Sequence, residues 1–190
     1  PEHTYPAAHQ DCMNAYKWLL SNNYEPQQII LGGDSAGAFF VLQTLLKIKQ
    51  QGLDQPQAAF LLSPLADALY FNGESYVSKR KRDPWLKADQ IPALVDLYLG
   101  KSPDRPSSLS PINANLLGFP PILTHVGEDE ILLSDSLRLH QQLQAHGVSS
   151  ELTVWPKMWH VFHGMGGQLP QARQALALIP IWTLPTKRIV

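Results

Sequence analysis

The chain has a single cysteine, Cys12, among 190 residues. No internal disulfide can form, nothing points to an oxidising compartment, and the expectation is a cytoplasmic protein. Charge is also scarce. Asp, Glu, Lys and Arg make up 16% of the sequence and the net charge is −1, so neither half is basic enough to suggest a nucleic acid partner. The one basic run, Lys79-Arg80-Lys81-Arg82, reads as a solvated loop. No apolar run reaches the roughly 18 residues of a membrane span, no spacing such as HExxH offers a metal site, and no internal repeat is seen. What is present in quantity is apolar: 44% of the residues are hydrophobic, enough for the core of one domain.

Short apolar runs alternate with helical patterns. Ala8, Cys12, Ala15, Tyr16 and Leu19 fall at helical spacing within residues 7–20. "QQIILGG" reads as a short buried strand, and residues 36–50 as a helix that is apolar almost all round before turning basic. Further strands are read at 57–65, 120–129 and 150–156, with helices at 133–147 and 170–179. Residues 67–100 are polar, aromatic and proline-punctuated, and read as an insert with one helical piece near 88–99. Short apolar strands alternating with helices predict an α/β fold, a mostly parallel sheet covered on both faces.

One stretch carries chemistry. "IILGGDSAGAFF", residues 29–40, places Gly33-x-Ser35-x-Gly37 between a buried strand and an apolar helix. That is the context of a nucleophile elbow, in which a strained turn presents a serine hydroxyl at the carboxyl edge of a sheet. Small flanking residues let strand and helix pass closely, and the backbone N–H of Ala36 is the candidate oxyanion donor. A serine needs a base, and the base needs a carboxylate. Asp129 is the expected acid, just past the third strand, with Glu128, Glu130 and Asp135 as competitors; Asp135 is expected to be a solvated acid in the first turn of the next helix. His160, in the loop after the fourth strand, is the expected base, with His163 as the alternative. His125 reads as a satisfied core histidine, and His3, His9, His140 and His146 as surface residues.

With these residues in view, the sequence resembles the hormone-sensitive-lipase-like branch of the α/β-hydrolase esterases. The resemblance rests on "GGDSAG", "VGEDEILLSD", "WPKMWHVFH", "PEHTYPAA" and "SPINANLLGFPPILTHVGEDE". It implies an α/β-hydrolase fold, hydrolysis of short to medium acyl esters by Ser35, Asp129 and His160, and no cofactor. It also implies that residues 1–190 are part of a catalytic domain, with 67–100 as a cap-like insert. The family's HGGG oxyanion loop and first strands are absent from this sequence, so the expectation is that the rest is another polypeptide, or was removed, or that the chain is a truncated homologue. A homodimer through the edge strand 150–156 is a further expectation. Two other readings stay open: an inert homologue serving as a binding or assembly module, and an acylaminoacyl-type serine peptidase domain.

Overall fold

The computed structural model describes residues 2–100 and 105–183. Among the described residues, four strands, β1 (Ile30–Asp34), β2 (Ala58–Leu62), β3 (Ile122–Gly127) and β4 (Ser150–Trp155), form one sheet in the order β1-β2-β3-β4. Every neighbouring pair is parallel. Consecutive strands run the same way, so each connection must cross back over the sheet, and helices make those crossings.

Among the described residues, six helices accompany the strands: α1 (Ala7–Ser21), α2 (Ala36–Gln50), α3 (Ser75–Ser78), α4 (Ile91–Leu99), α5 (Leu133–Ala145) and α6 (Pro170–Thr183). The apolar sides of α2 and α5 meet on one face of the sheet, where Leu42, Leu45, Leu139 and Leu143 pack with Ala59, Leu61 and Ile122. Register places Ala59 beside Ile122 and Leu61 beside Thr124. Because side chains alternate across a strand, His125 therefore points to the opposite face, where it meets Trp155. Phe162 and α6 pack there too, through Ala172 and Ala175. α1 lies against α2 through Met13, Tyr16 and Ile48.

The insert is not a loose loop. Its Ala68, Tyr76, Ile91 and Leu99 form a second core with Phe39 of α2 and with Ile131 and Leu132 after β3. It is also tied to the loop after β3 by hydrogen bonds. Ser75 and Ser134 exchange them, each backbone N–H donating to the other's hydroxyl at 2.9 Å, and the buried Asp83 accepts from the Ile131 N–H at 3.3 Å. The insert thus fixes the loop whose acids are in question.

Candidate active site

Ser35 sits between β1 and α2 with φ 51° and ψ −117°, a sparsely populated backbone region that costs of order 1–3 kcal/mol and persists only when its surroundings enforce it. The end of β2 does so: the Ser35 N–H donates to the Leu62 carbonyl at 2.9 Å and the Ser35 carbonyl accepts from the Leu65 N–H at 3.2 Å. The two flanking glycines act differently. A Cβ on Gly33 would lie 2.4 Å from the Gly37 carbonyl carbon, whereas a Cβ on Gly37 would meet nothing within 4 Å. The close strand–helix passage therefore demands smallness at Gly33 alone. Ala36 opens α2, and its N–H is one of the first-turn groups that a helix leaves without an intrahelical acceptor.

The His160 Nε2 lies 2.9 Å from the Ser35 Oγ. On the other side of the ring, Nδ1 faces the Glu130 Oε1 at 3.4 Å. An imidazole nitrogen beside a carboxylate carries the proton, which leaves Nε2 to accept the serine hydroxyl. Glu130 is fully buried. Its other oxygen, Oε2, accepts from the Ser63 hydroxyl at 2.7 Å and the Gly127 N–H at 2.8 Å.

Asp129 is not brought to His160. Its carboxylate turns outward to Lys79 and Arg82, each at 3.4 Å, so part of the basic run is engaged by the very acid expected at the site. Glu128 accepts from the Lys157 N–H at 3.0 Å. The tight turn after β3 sends neighbouring side chains in different directions, and Glu130 is the one that turns beneath the imidazole. A sequence signal existed: Glu130 immediately precedes Ile131 and Leu132, an apolar pair that the structure buries.

Two more acid–base expectations change. Asp135 is fully buried rather than solvated. It accepts from the N–H groups of Ala66 and Asp67 at 3.1 and 3.3 Å, and burial pushes its pKa up to about 7, with the charge of Asp67 adding to the rise. His9 is half-buried among Tyr5, Phe39, Phe40 and Tyr98 rather than on the surface, and burial pulls it down to about 4.

His125 and His163 are buried and stacked, with ring centroids 5.8 Å apart and an interplanar angle of 14°. Neither nitrogen of either ring has a hydrogen-bond partner among the described residues, so His125 is a core histidine but not a satisfied one. Burial lowers His125 to about 4. It lowers His163 to about 3, with the nearby His125 and His160 contributing. Neither side chain takes the place of His160 at Ser35.

A cavity of about 220 Å³ opens beside Ser35 and Ala36, walled by Phe39, Phe40, Leu65, Leu86, Ile91 and Tyr98 among others. Leu86 of the insert is among the side chains that line it. Tyr70 and Trp85 are exposed and Tyr76 is buried in the insert's own core. No group of three or more His, Cys, Asp or Glu suited to a metal ion occurs among the described residues.

A strained serine after a parallel strand, a histidine on its hydroxyl and a buried carboxylate behind the histidine define a class of fold and site. The family model described as alpha/beta hydrolase fold matches residues 1–164, and the chain belongs to that family. Within it, the chain is similar to bacterial esterases of the hormone-sensitive lipase family. A crystal structure of one such esterase superposes with a TM-score of 0.92 at 37% identity, covering 96% of this chain and 61% of that one. An acetyl-hydrolase of Streptomyces hygroscopicus is 34% identical over 176 residues, and an esterase of Acinetobacter venetianus 36% identical over 179 residues. The chain spans 58% of the length of each of these two relatives.

Proposed function

We propose that the protein hydrolyses carboxylic esters of short to medium acyl chains, with Ser35 as nucleophile, His160 as general base and Glu130 as the supporting acid. The observation that carries this reading is the continuous line from Glu130 Oε1 to His160 Nδ1 and from His160 Nε2 to Ser35 Oγ. Catalytic hydrogen bonds are often long in unliganded sites and tighten with substrate, which accommodates the 3.4 Å contact.

In the first step the Ser35 oxygen bonds to the ester carbonyl carbon while its proton passes to His160. Glu130 stabilises the imidazolium, and the Ala36 N–H faces the developing oxyanion. The tetrahedral intermediate collapses, His160 protonates the departing alcohol, and an acyl-enzyme remains. Water then attacks with His160 again as base, releasing the acid and restoring the Ser35 hydroxyl. The apolar cavity takes the acyl chain, roofed in part by residues 67–100 as a cap-like insert. A cavity of about 150 Å³ accepts benzene, so the 220 Å³ here suits a short to medium chain. The names of the relatives, acetyl-hydrolase and esterase, support the same substrate class.

The test is hydrolysis of p-nitrophenyl butyrate together with labelling by a serine-reactive phosphonate, each compared with Ser35→Ala. The expected result is hydrolysis and a covalent label on Ser35, both lost in the variant. Equal rates in the two proteins, or no label on Ser35, contradict the proposal. A cytoplasmic location and a homodimer through β4 remain part of the reading. Light scattering that finds only monomer at high concentration counts against the dimer.

A further inference from the structure

Ser63 is a buried residue to which ester hydrolysis by Ser35, His160 and Glu130 assigns no part. It follows β2 at φ 50°, in the left-handed region that a non-glycine residue enters at a cost, and it has no exposed surface. Its N–H donates to the His125 carbonyl of β3 at 2.7 Å. Its hydroxyl does two things at once, donating to the Glu130 Oε2 at 2.7 Å and accepting from the Val161 N–H at 3.1 Å. A hydroxyl has one proton and two lone pairs, so both bonds form together. Val161 is the residue after His160 and also has φ 50°. One hydroxyl therefore links the carboxylate to the backbone of the loop that carries the histidine, and two strained residues meet across it.

We infer that Ser63 is a positioning residue, which sets the rotation of the Glu130 carboxylate and the height of the His160 loop relative to each other. With the Gly127 N–H it holds Oε2 from two sides, and this leaves Oε1 directed at the His160 Nδ1. No Lys or Arg pairs with the buried Glu130 among the described residues. Neutral donors alone orient it, so removing one leaves the carboxylate freer to turn and the Val161 N–H without its acceptor. A misplacement on the scale of 1 Å costs about 100-fold in rate.

This inference rests on the triad reading above, and the experiment separates the two. Ser63→Ala and Ser63→Gly are compared with wild type for kcat and KM on p-nitrophenyl butyrate, and for the low-field proton resonance of the His160 Nδ1–H. Alanine keeps the strained backbone and loses the hydroxyl; glycine loses the hydroxyl and relieves the strain. Both variants are expected to lower kcat by about 10- to 100-fold with KM little changed, and to shift or broaden the resonance. A loss in Ser63→Ala that Ser63→Gly restores would assign the effect to the backbone and overturn the inference. So would wild-type kcat and resonance in either variant. If Glu130→Gln abolishes activity while Ser63→Ala keeps it, the positioning role alone fails. If Glu130→Gln is fully active, the triad reading fails and the role of Ser63 falls with it.

Discussion

Four acidic residues follow β3 within eight positions, and the fold gives each a different fate. Glu128 meets a backbone N–H, Asp129 meets the cations of Lys79 and Arg82, Glu130 is buried beneath the imidazole, and Asp135 is buried beneath the insert. Asp135 carries a prediction with a definite sign. Its folded pKa of about 7 lies above the ordinary value of 3.8, so between those limits the folded protein keeps a proton that the unfolded chain has released. The stability this contributes is complete below the unfolded value and is lost as pH rises through 7. Asn in its place stays neutral and still offers an oxygen to the Ala66 and Asp67 N–H groups. Asp135→Asn is expected to raise stability by roughly 2 kcal/mol at pH 8, with the gain shrinking toward pH 5. Thermal melts at the two pH values check it, and a lower Tm for the variant at pH 8 would contradict it. The region was only partly legible in the sequence. That an acid follows β3 can be read from strand order and the acidic run, but which acid turns inward cannot. Side-chain direction in a tight turn has no periodicity, and the cations that draw Asp129 outward lie about fifty residues away in the chain.

At the scale of elements, the turn from β1 to α2 is the best-specified feature. A strand, two glycines, a serine and an apolar helix are all legible, because each has a local cause. The sequence motif treats its two flanking glycines alike, but the structure separates them. Gly33→Ala is expected to drive β1 and α2 apart, costing about 1–3 kcal/mol as an overpacked contact and disabling Ser35. Gly37→Ala meets open space and is expected to keep or slightly raise stability, since alanine favours a helix by about 1 kcal/mol over glycine. Urea denaturation of both variants decides this; equal losses at the two positions would refute the asymmetry. The insert was the least legible element. Its role as a clamp on the loop after β3 depends on Ser75, Asp83 and Ser134, small polar residues that look like ordinary turn formers until the two segments are brought together.

At the scale of the whole molecule, the buried histidines make stability sensitive to acid. His125 and His163 have folded values near 4 and 3, below the roughly 6.5 of an unfolded chain. Staying neutral therefore contributes stability that is complete above pH 6.5 and lost as pH falls toward 4. Asp135 acts in the opposite direction over the same range, so the effect is cleanest in an Asp135→Asn background. There, Tm is expected to fall steadily between pH 7 and 4.5, and His163→Phe is expected to flatten that fall. A slope unchanged by the substitution would show that the stacked pair does not govern it.

The central claim is that Glu130, and not Asp129, supports His160 as the base for Ser35. The most direct measurement is kcat on p-nitrophenyl butyrate for Glu130→Gln and Asp129→Asn side by side. Glu130→Gln is expected to lower kcat by about 10³- to 10⁴-fold, the scale seen when the acid of a serine triad is neutralised. Asp129→Asn is expected to stay close to wild type, since the Asp129 carboxylate meets Lys79 and Arg82 and not the His160 ring. The reverse order, with Asp129→Asn inactive and Glu130→Gln active, would contradict the assignment.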